Sequence, residues 1–352
     1  MKVFKNRFTA IVAAICAVLS SAGHAGVTYY YTPSPIGSIS GRAFADPTQT
    51  PVYRTTTWTV YNIQPLGSSV STPLTGWNLG DFTGNYVPAP IGNYQRGGPT
   101  TSYGGMSVEM HDFTDNAGST GPIFGSMMNT FGQPYSISTK ITGAILSYTF
   151  HPTLDDFRPF AQGPNSLLHY SLMLQVPNVY VVGDARAHIG PSFTLEDTTT
   201  GQYFWFAPWS FNQGSGASNT YAEENISWDS ATRSAIIGTL FQPGTNYIST
   251  DSSSAQSTNI PWSGWRWFSY SVSIPQISKA ITDLNNAIAP GPQSLCKDVD
   301  RNQGLCKPFS INPANYKLGQ ILVDAEIARP TGASDNGYMG FSTYGIWVYS
   351  TY

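Results

Sequence analysis

Formal charge is scarce in this chain. Lys, Arg, Asp and Glu together make up 11% of its 352 residues, against about a quarter in an ordinary globular protein. Solubility therefore rests on Ser, Thr, Asn, Gln and Gly, a composition common in exported β proteins. Beyond residue 25 the lysines are Lys140, Lys279, Lys297, Lys307 and Lys317. So few cations make no broad footprint for a phosphate backbone, which excludes nucleic acid as a partner.

Cysteine is nearly missing too. Of three, Cys16 lies in the first residues, leaving Cys296 and Cys306. Long apolar runs are absent: Phe8–Leu19 falls short of the about 20 residues a membrane-spanning helix needs, so no transmembrane helix is expected. There is no Gly-rich phosphate loop, no zinc-ligand spacing and no Gly-x-Ser-x-Gly elbow. His111, His151, His169 and His188 are scattered, a pattern that does not indicate a metal enzyme.

The first 25 residues read as an export leader. Lys2, Lys5 and Arg7 precede the apolar run, and Ser20–Ala25 supplies the small residues of a cleavage site. The expected mature protein is secreted or periplasmic, spans 26–352 and carries a formal charge of about −6. In that oxidising setting Cys296 and Cys306 are expected to form a disulfide. The loop is short, so its stabilisation is about 2–3 kcal/mol.

What is abundant is alternation. In Leu167–Val176 the apolar Leu168, Tyr170, Leu172, Leu174 and Val176 alternate with His169, Ser171, Met173 and Gln175. Val179–Ile189 continues, with Val179, Val181, Gly183, Ala185, Ala187 and Ile189 opposite Tyr180, Val182, Asp184, Arg186 and His188. Ser192–Phe206 folds back at Asp197–Gly201, setting Phe193, Leu195, Phe204 and Phe206 against Thr194, Glu196, Tyr203 and Trp205. Side chains alternate across a strand, so this is a sheet with one dry face and one polar, aromatic face.

Elsewhere, Val52–Ile63, Ser107–Phe113, Ser136–Phe150, Ala235–Leu240, Trp265–Ile274, Gly319–Ala328 and Tyr338–Tyr349 read as strands. Leu154–Asn165 and Asn212–Asn225 read as loops. The helix signal is Pro275 followed by Ile277, Ile281, Leu284 and Ile288, stopped at Pro290–Pro292. The fold class is all-β: a jelly-roll-like antiparallel β-sandwich with one short helix, in a single large domain whose N-terminal third, 26–135, is irregular and open to being a subdomain.

Asp184, Arg186 and His188 form the sharpest candidate catalytic group, about 6.6 Å apart in steps along one strand face. Arg186 offers a fork to a sugar carboxylate and His188 a base or acid near neutral pH. Glu196 and Tyr203 share that face. A plain ion pair on a solvated sheet explains the same spacing. Asp324 and Glu326 sit two apart on a strand, Glu109 and His111 do likewise, and Glu196 shares its face with Trp205; any of these could serve glycoside hydrolysis, though two carboxyls so spaced are more often an exposed face.

Trp205, Trp209, Trp262, Trp265 and Trp267, with His169 and Gln175, are candidate substrate-binding residues, since flat rings stack on sugars and keep a polar edge. Core packing is the competing account. Asp298, Asp300 and Asn302 alternate as in a calcium loop, but the expected Gly is displaced and Phe309 stands where a Glu belongs, so a structural calcium ion competes with a plain polar turn. The expected partner is a polysaccharide. The leading expectation is an exported protein that binds a glycan across the polar face of the central sheet and cleaves it, as a hydrolase or a lyase. A non-catalytic carbohydrate-binding or adhesive protein is the alternative. An outer-membrane barrel, suggested by the aromatic close Tyr344–Tyr352, stands third.

Overall fold

The computed structural model describes residues 26–31, 57–59, 61–62, 79–80, 87–88, 105–114, 120–131, 135, 141–150, 155–214, 224–229 and 233–352. The leader at 1–25 and most of the stretch at 52–63 lie outside the described residues, as do His151 and Leu154. The first strands in chain order are β1 (Val27–Tyr31), β2 (Thr57–Thr59), β3 (Tyr61–Asn62), β4 (Leu79–Gly80), β5 (Val87–Pro88), β6 (Gly105–Thr114), β7 (Thr120–Asn129) and β8 (Ile141–Thr149). The central ones are β9 (Leu167–Val182), β10 (Arg186–Asp197), β11 (Tyr203–Trp209) and β12 (Phe211–Gly214). Then come β13 (Asn225–Asp229), β14 (Ser234–Leu240), β15 (Ser249–Thr250) and β16 (Trp262–Ser273). Helices α1 (Ile274–Ile288) and α2 (Asp298–Asn302) precede β17 (Tyr316–Ala328) and β18 (Asn336–Thr351).

The protein is a jelly-roll-like β-sandwich. Its seven-stranded sheet runs β15-β16-β9-β18-β7-β6, with β1 also on β18. Its nine-stranded sheet runs β13-β14-β11-β10-β17-β8-β2, with β12 on β10 and β4 on β8. Neither path closes into a barrel. Pairing in both is antiparallel except β11 on β14, which is parallel, a departure from the all-antiparallel expectation.

The dry faces meet as the alternation predicts. Leu168 to Val176 from β9, Phe268 to Val272 from β16 and Ile346 and Val348 from β18 pack on Phe193, Leu195, Phe204, Phe206, Ile321 and Val323 from the other sheet. Phe193 stacks on Phe206 at 5.0 Å, and Tyr270 reaches across to Phe193 at 6.4 Å. A buried tyrosine hydroxyl needs a partner. Tyr170 Oη accordingly crosses the sandwich and donates to the Leu322 carbonyl at 2.7 Å.

The 179–189 stretch corrects the sequence reading. It is not one strand: β9 ends at Val182, Gly183 and Asp184 form a turn, and β10 begins at Arg186 in the opposite sheet. Gly183 has φ +68°, the left-handed region where a side chain is strained. The Asp184 N–H donates to Asp335 Oδ1 at 2.9 Å. Asp184 is therefore a turn residue and does not share the strand face of Arg186 and His188.

Two further details complete the frame. Part of the predicted 212–225 loop is strand β12, which pairs with β10. Helix α1 has Ser273 as N-cap, and its Oγ accepts from the Gln276 N–H in a capping box. Ile277, Ala280, Ile281, Leu284 and Ile288 are buried beneath it. Cys296 and Cys306 are disulfide-bonded in the segment that follows. Among the described residues no helix is long and apolar enough to cross a membrane.

Candidate active site

The strand registers decide which predicted residues meet. On the outer face of the nine-stranded sheet, β10 presents Arg186, His188, Ser192, Thr194 and Glu196. Glu326 of β17 stands opposite His188, and Asp324 opposite Gly190. From β11, Trp205 stands opposite Thr194 and Tyr203 opposite Glu196. So Arg186, His188, Glu196, Tyr203 and Trp205 do share one face.

His188 and Glu196 each have a partner that fixes them. His188 Nε2 lies 2.8 Å from Glu326 Oε2, and its ring meets Trp209 edge-on at 4.3 Å. Glu196 pairs with Lys317 at 3.3 Å. Arg186 is exposed at the rim. Between these ends the chain bulges at 207–210, where the Ser210 N–H donates to the Ile189 carbonyl. A β-carbon at Gly190 would collide with the Pro208 carbonyl, so only glycine lets that bulge lie so close to the sheet.

Asp324 sits in the floor of this face and is 6% exposed. Burial pushes its carboxyl well up from the ordinary range, and the charges of Glu326 and Asp229 push it further. Asp229 lies on β13, four positions from β17 in the sheet order. On a flat sheet the two strands would be about 19 Å apart. That the Asp229 charge reaches Asp324 means the sheet curls round on itself. Tyr203 is also raised, by partial burial and by Asp229, while a hydrogen bond with Ser234 opposes the shift.

Three buried polar atoms on this face have no hydrogen-bond partner among the described residues: Asp324 Oδ1, Ser192 Oγ and Trp205 Nε1. Each such atom costs about 1–3 kcal/mol of desolvation unless something satisfies it.

The remaining predicted residues are elsewhere. Trp262 is core: it packs on Phe211 and Phe268, and its Nε1 donates to the Leu174 carbonyl at 3.3 Å. His169, Gln175, Trp265 and Trp267 lie on the seven-stranded sheet, on the opposite side of the sandwich. Asp298, Asp300 and Asn302 fall on α2, where alternate positions point about 200° apart. Asp300 is buried while Asp298 and Asn302 are exposed, so the alternation does not converge on an ion. Among the described residues no three His, Cys, Asp or Glu side chains gather as metal ligands. Asp229 had no sequence signal at all, since only the curl of the sheet brings it near Asp324.

No family model matches the chain, and no characterised protein matches it in sequence. Among solved structures it is similar to the family 11 xylanase from Neocallimastix patriciarum, at 8% identity and a TM-score of 0.25 over 74% of this chain and 95% of that one. A loop-swap mutant of Xyn11A from the same organism gives 9% identity and a TM-score of 0.22 over 74% and 97%. An exo-β-agarase gives 11% identity and a TM-score of 0.14 over 72% and 26%. Likeness at this level carries no argument about activity.

Proposed function

We propose that this is an exported protein that holds a polysaccharide across the curled face of the nine-stranded sheet and hydrolyses it there. The observation that carries the reading is the meeting on one polar face of two carboxyls, Asp324 and Glu326, with His188 and the rings of Trp205 and Trp209. A ligand dense in hydroxyls suits such a polar face, and the rings of Trp205 and Trp209 offer flat surfaces to sugar faces.

The chemistry follows from two carboxyls in unlike surroundings. Asp324, driven toward its protonated form, gives its proton to the glycosidic oxygen as the bond to the anomeric carbon breaks. Glu326, oriented by His188, takes a proton from the water whose oxygen bonds to that carbon. One water is consumed and one glycosidic bond lost; proton exchange with solvent resets both groups. Alternate positions on a strand are about 6.6 Å apart, a spacing compatible with a water between the carboxyls. Arg186 at the rim is placed to meet a uronate carboxylate on the chain.

The test is a panel of neutral and acidic polysaccharides, read for new reducing ends and for the absorbance of unsaturated uronates. Hydrolysis gives the first without the second. Asp324→Asn and Glu326→Gln should each lower the rate by about 10²–10⁴-fold. Unsaturated products would mean elimination, with His188 or Tyr203 as base. Binding without any product would leave a non-catalytic glycan-binding protein.

A further inference from the structure

The opposite side of the sandwich carries a second feature. On β18 the outward positions include Tyr338, Tyr344, Trp347 and Tyr349, a file of aromatic rings along one strand. Neighbouring strands thicken it. Tyr29 of β1 packs against Trp347 at 6.3 Å and Tyr349 at 5.6 Å, and Tyr180 of β9 lies 6.0 Å from Tyr338. Trp265 of β16 meets Tyr344 edge-on at 4.6 Å. Trp347 is 38% exposed, Tyr29 46% and Tyr180 51%.

We infer that this file is a second, non-catalytic binding surface for an uncharged linear polysaccharide, an inference that rests on the glycan reading above. Three observations select that occupant. The outward positions of β1, β9, β16 and β18 hold no Lys, Arg, Asp or Glu; Asp251, which reaches the face at its β15 edge, is engaged by the Ser269 hydroxyl, so nothing along β18 itself recruits a charged partner. The rings are interleaved with the half-buried Ser342 and Thr351 instead of merging into the continuous apolar centre that a protein partner buries. The rings follow one strand over a run from 338 to 349 that is interrupted by two register shifts and is at most about 36 Å long, which is the shape of a chain and not of a compact patch. Sugar rings present the same alternation of flat apolar face and hydroxyl rim.

The experiment uses the full chain and washed particles of cellulose, xylan, agarose and chitin, with turnover of short soluble fragments measured in parallel. Wild type should be retained on at least one polymer. The Tyr29→Ala/Trp347→Ala double variant should lose retention about tenfold and keep its turnover of short fragments, while Glu326→Gln should do the reverse. Both residues are substantially exposed, and an unchanged melting temperature checks that the double variant is folded. Retention equal to wild type in the double variant overturns the proposal. So does a fall in molecular mass of the double variant by sedimentation, which would make the face an interface between copies. Retention of wild type without turnover of any polymer supports this surface while contradicting the cleavage reading.

Discussion

Two buried aspartates in this protein meet opposite fates. Asp324 is surrounded by acids and is driven toward neutrality. At Asp197 burial also works against the charge, but four hydrogen bonds outweigh it and hold the carboxyl below its ordinary range. The donors are Thr199 N–H at 2.9 Å, Thr199 Oγ1 at 2.7 Å, Thr200 Oγ1 at 3.0 Å and Ser310 N–H at 2.8 Å. Asp197→Ala should cost about 2–3 kcal/mol in a denaturant titration, the worth of a charge-assisted cluster whose donors lose their acceptor. Asp335 is depressed likewise: burial opposes, but Asp184, Thr331 and Gly332 donate to it. A depressed carboxyl stabilises the fold above its unfolded value and loses that contribution as pH falls through the folded one. His169 acts in a higher window. Burial pushes it down to about 4 despite the Asp251 charge, and its ring lies flat on Tyr349 at 4.6 Å. The unfolded chain binds the extra proton first, so thermal stability should decline as pH falls from about 6.5 toward 4. In His169→Phe that decline should disappear, leaving only the carboxylate limb below it.

At the scale of elements, the crossover between the sheets is the decisive feature. The period-two pattern runs unbroken from Val179 to Ile189, because the turn at Gly183 and Asp184 inserts an even number of residues and keeps the parity of inward and outward positions. Pattern alone therefore cannot see the break; the Gly-Asp pair was its only local mark. A β-carbon at Gly183 would stand 2.5 Å from Asp335 Oδ1 and 2.9 Å from the Ser334 carbonyl, at a φ of +68°. Gly183→Ala should cost about 1–3 kcal/mol, measured by chemical denaturation. Other elements were plain in the sequence for physical reasons. The Asp197–Gly201 hairpin, helix α1 with its Pro275 start, and strands β16 to β18 each combine a full period with a marked end. The disulfide followed from compartment chemistry. The alternation at Asp298–Asn302 misled because a five-residue helix and an extended loop share the same composition.

At the scale of the molecule, the crossover splits what looked like one polar face into two. Arg186, His188, Glu196, Tyr203, Trp205 and Trp209 stay with the nine-stranded sheet, and His169, Gln175, Trp265 and Trp267 with the seven-stranded one. Which residues alternate could be read from sequence; which sheet they joined could not, since that depends on long-range pairing. Asp324 and Glu326 were visible as a pair, but their pairing with His188 and the approach of Asp229 are products of register and curl. The most direct measurement is the structure of Glu326→Gln with a bound oligosaccharide from a cleaved polymer. A sugar should lie over Trp205 and Trp209 with an oxygen within hydrogen-bond distance of Asp324. A sugar bound only elsewhere, with that face empty, would contradict the account.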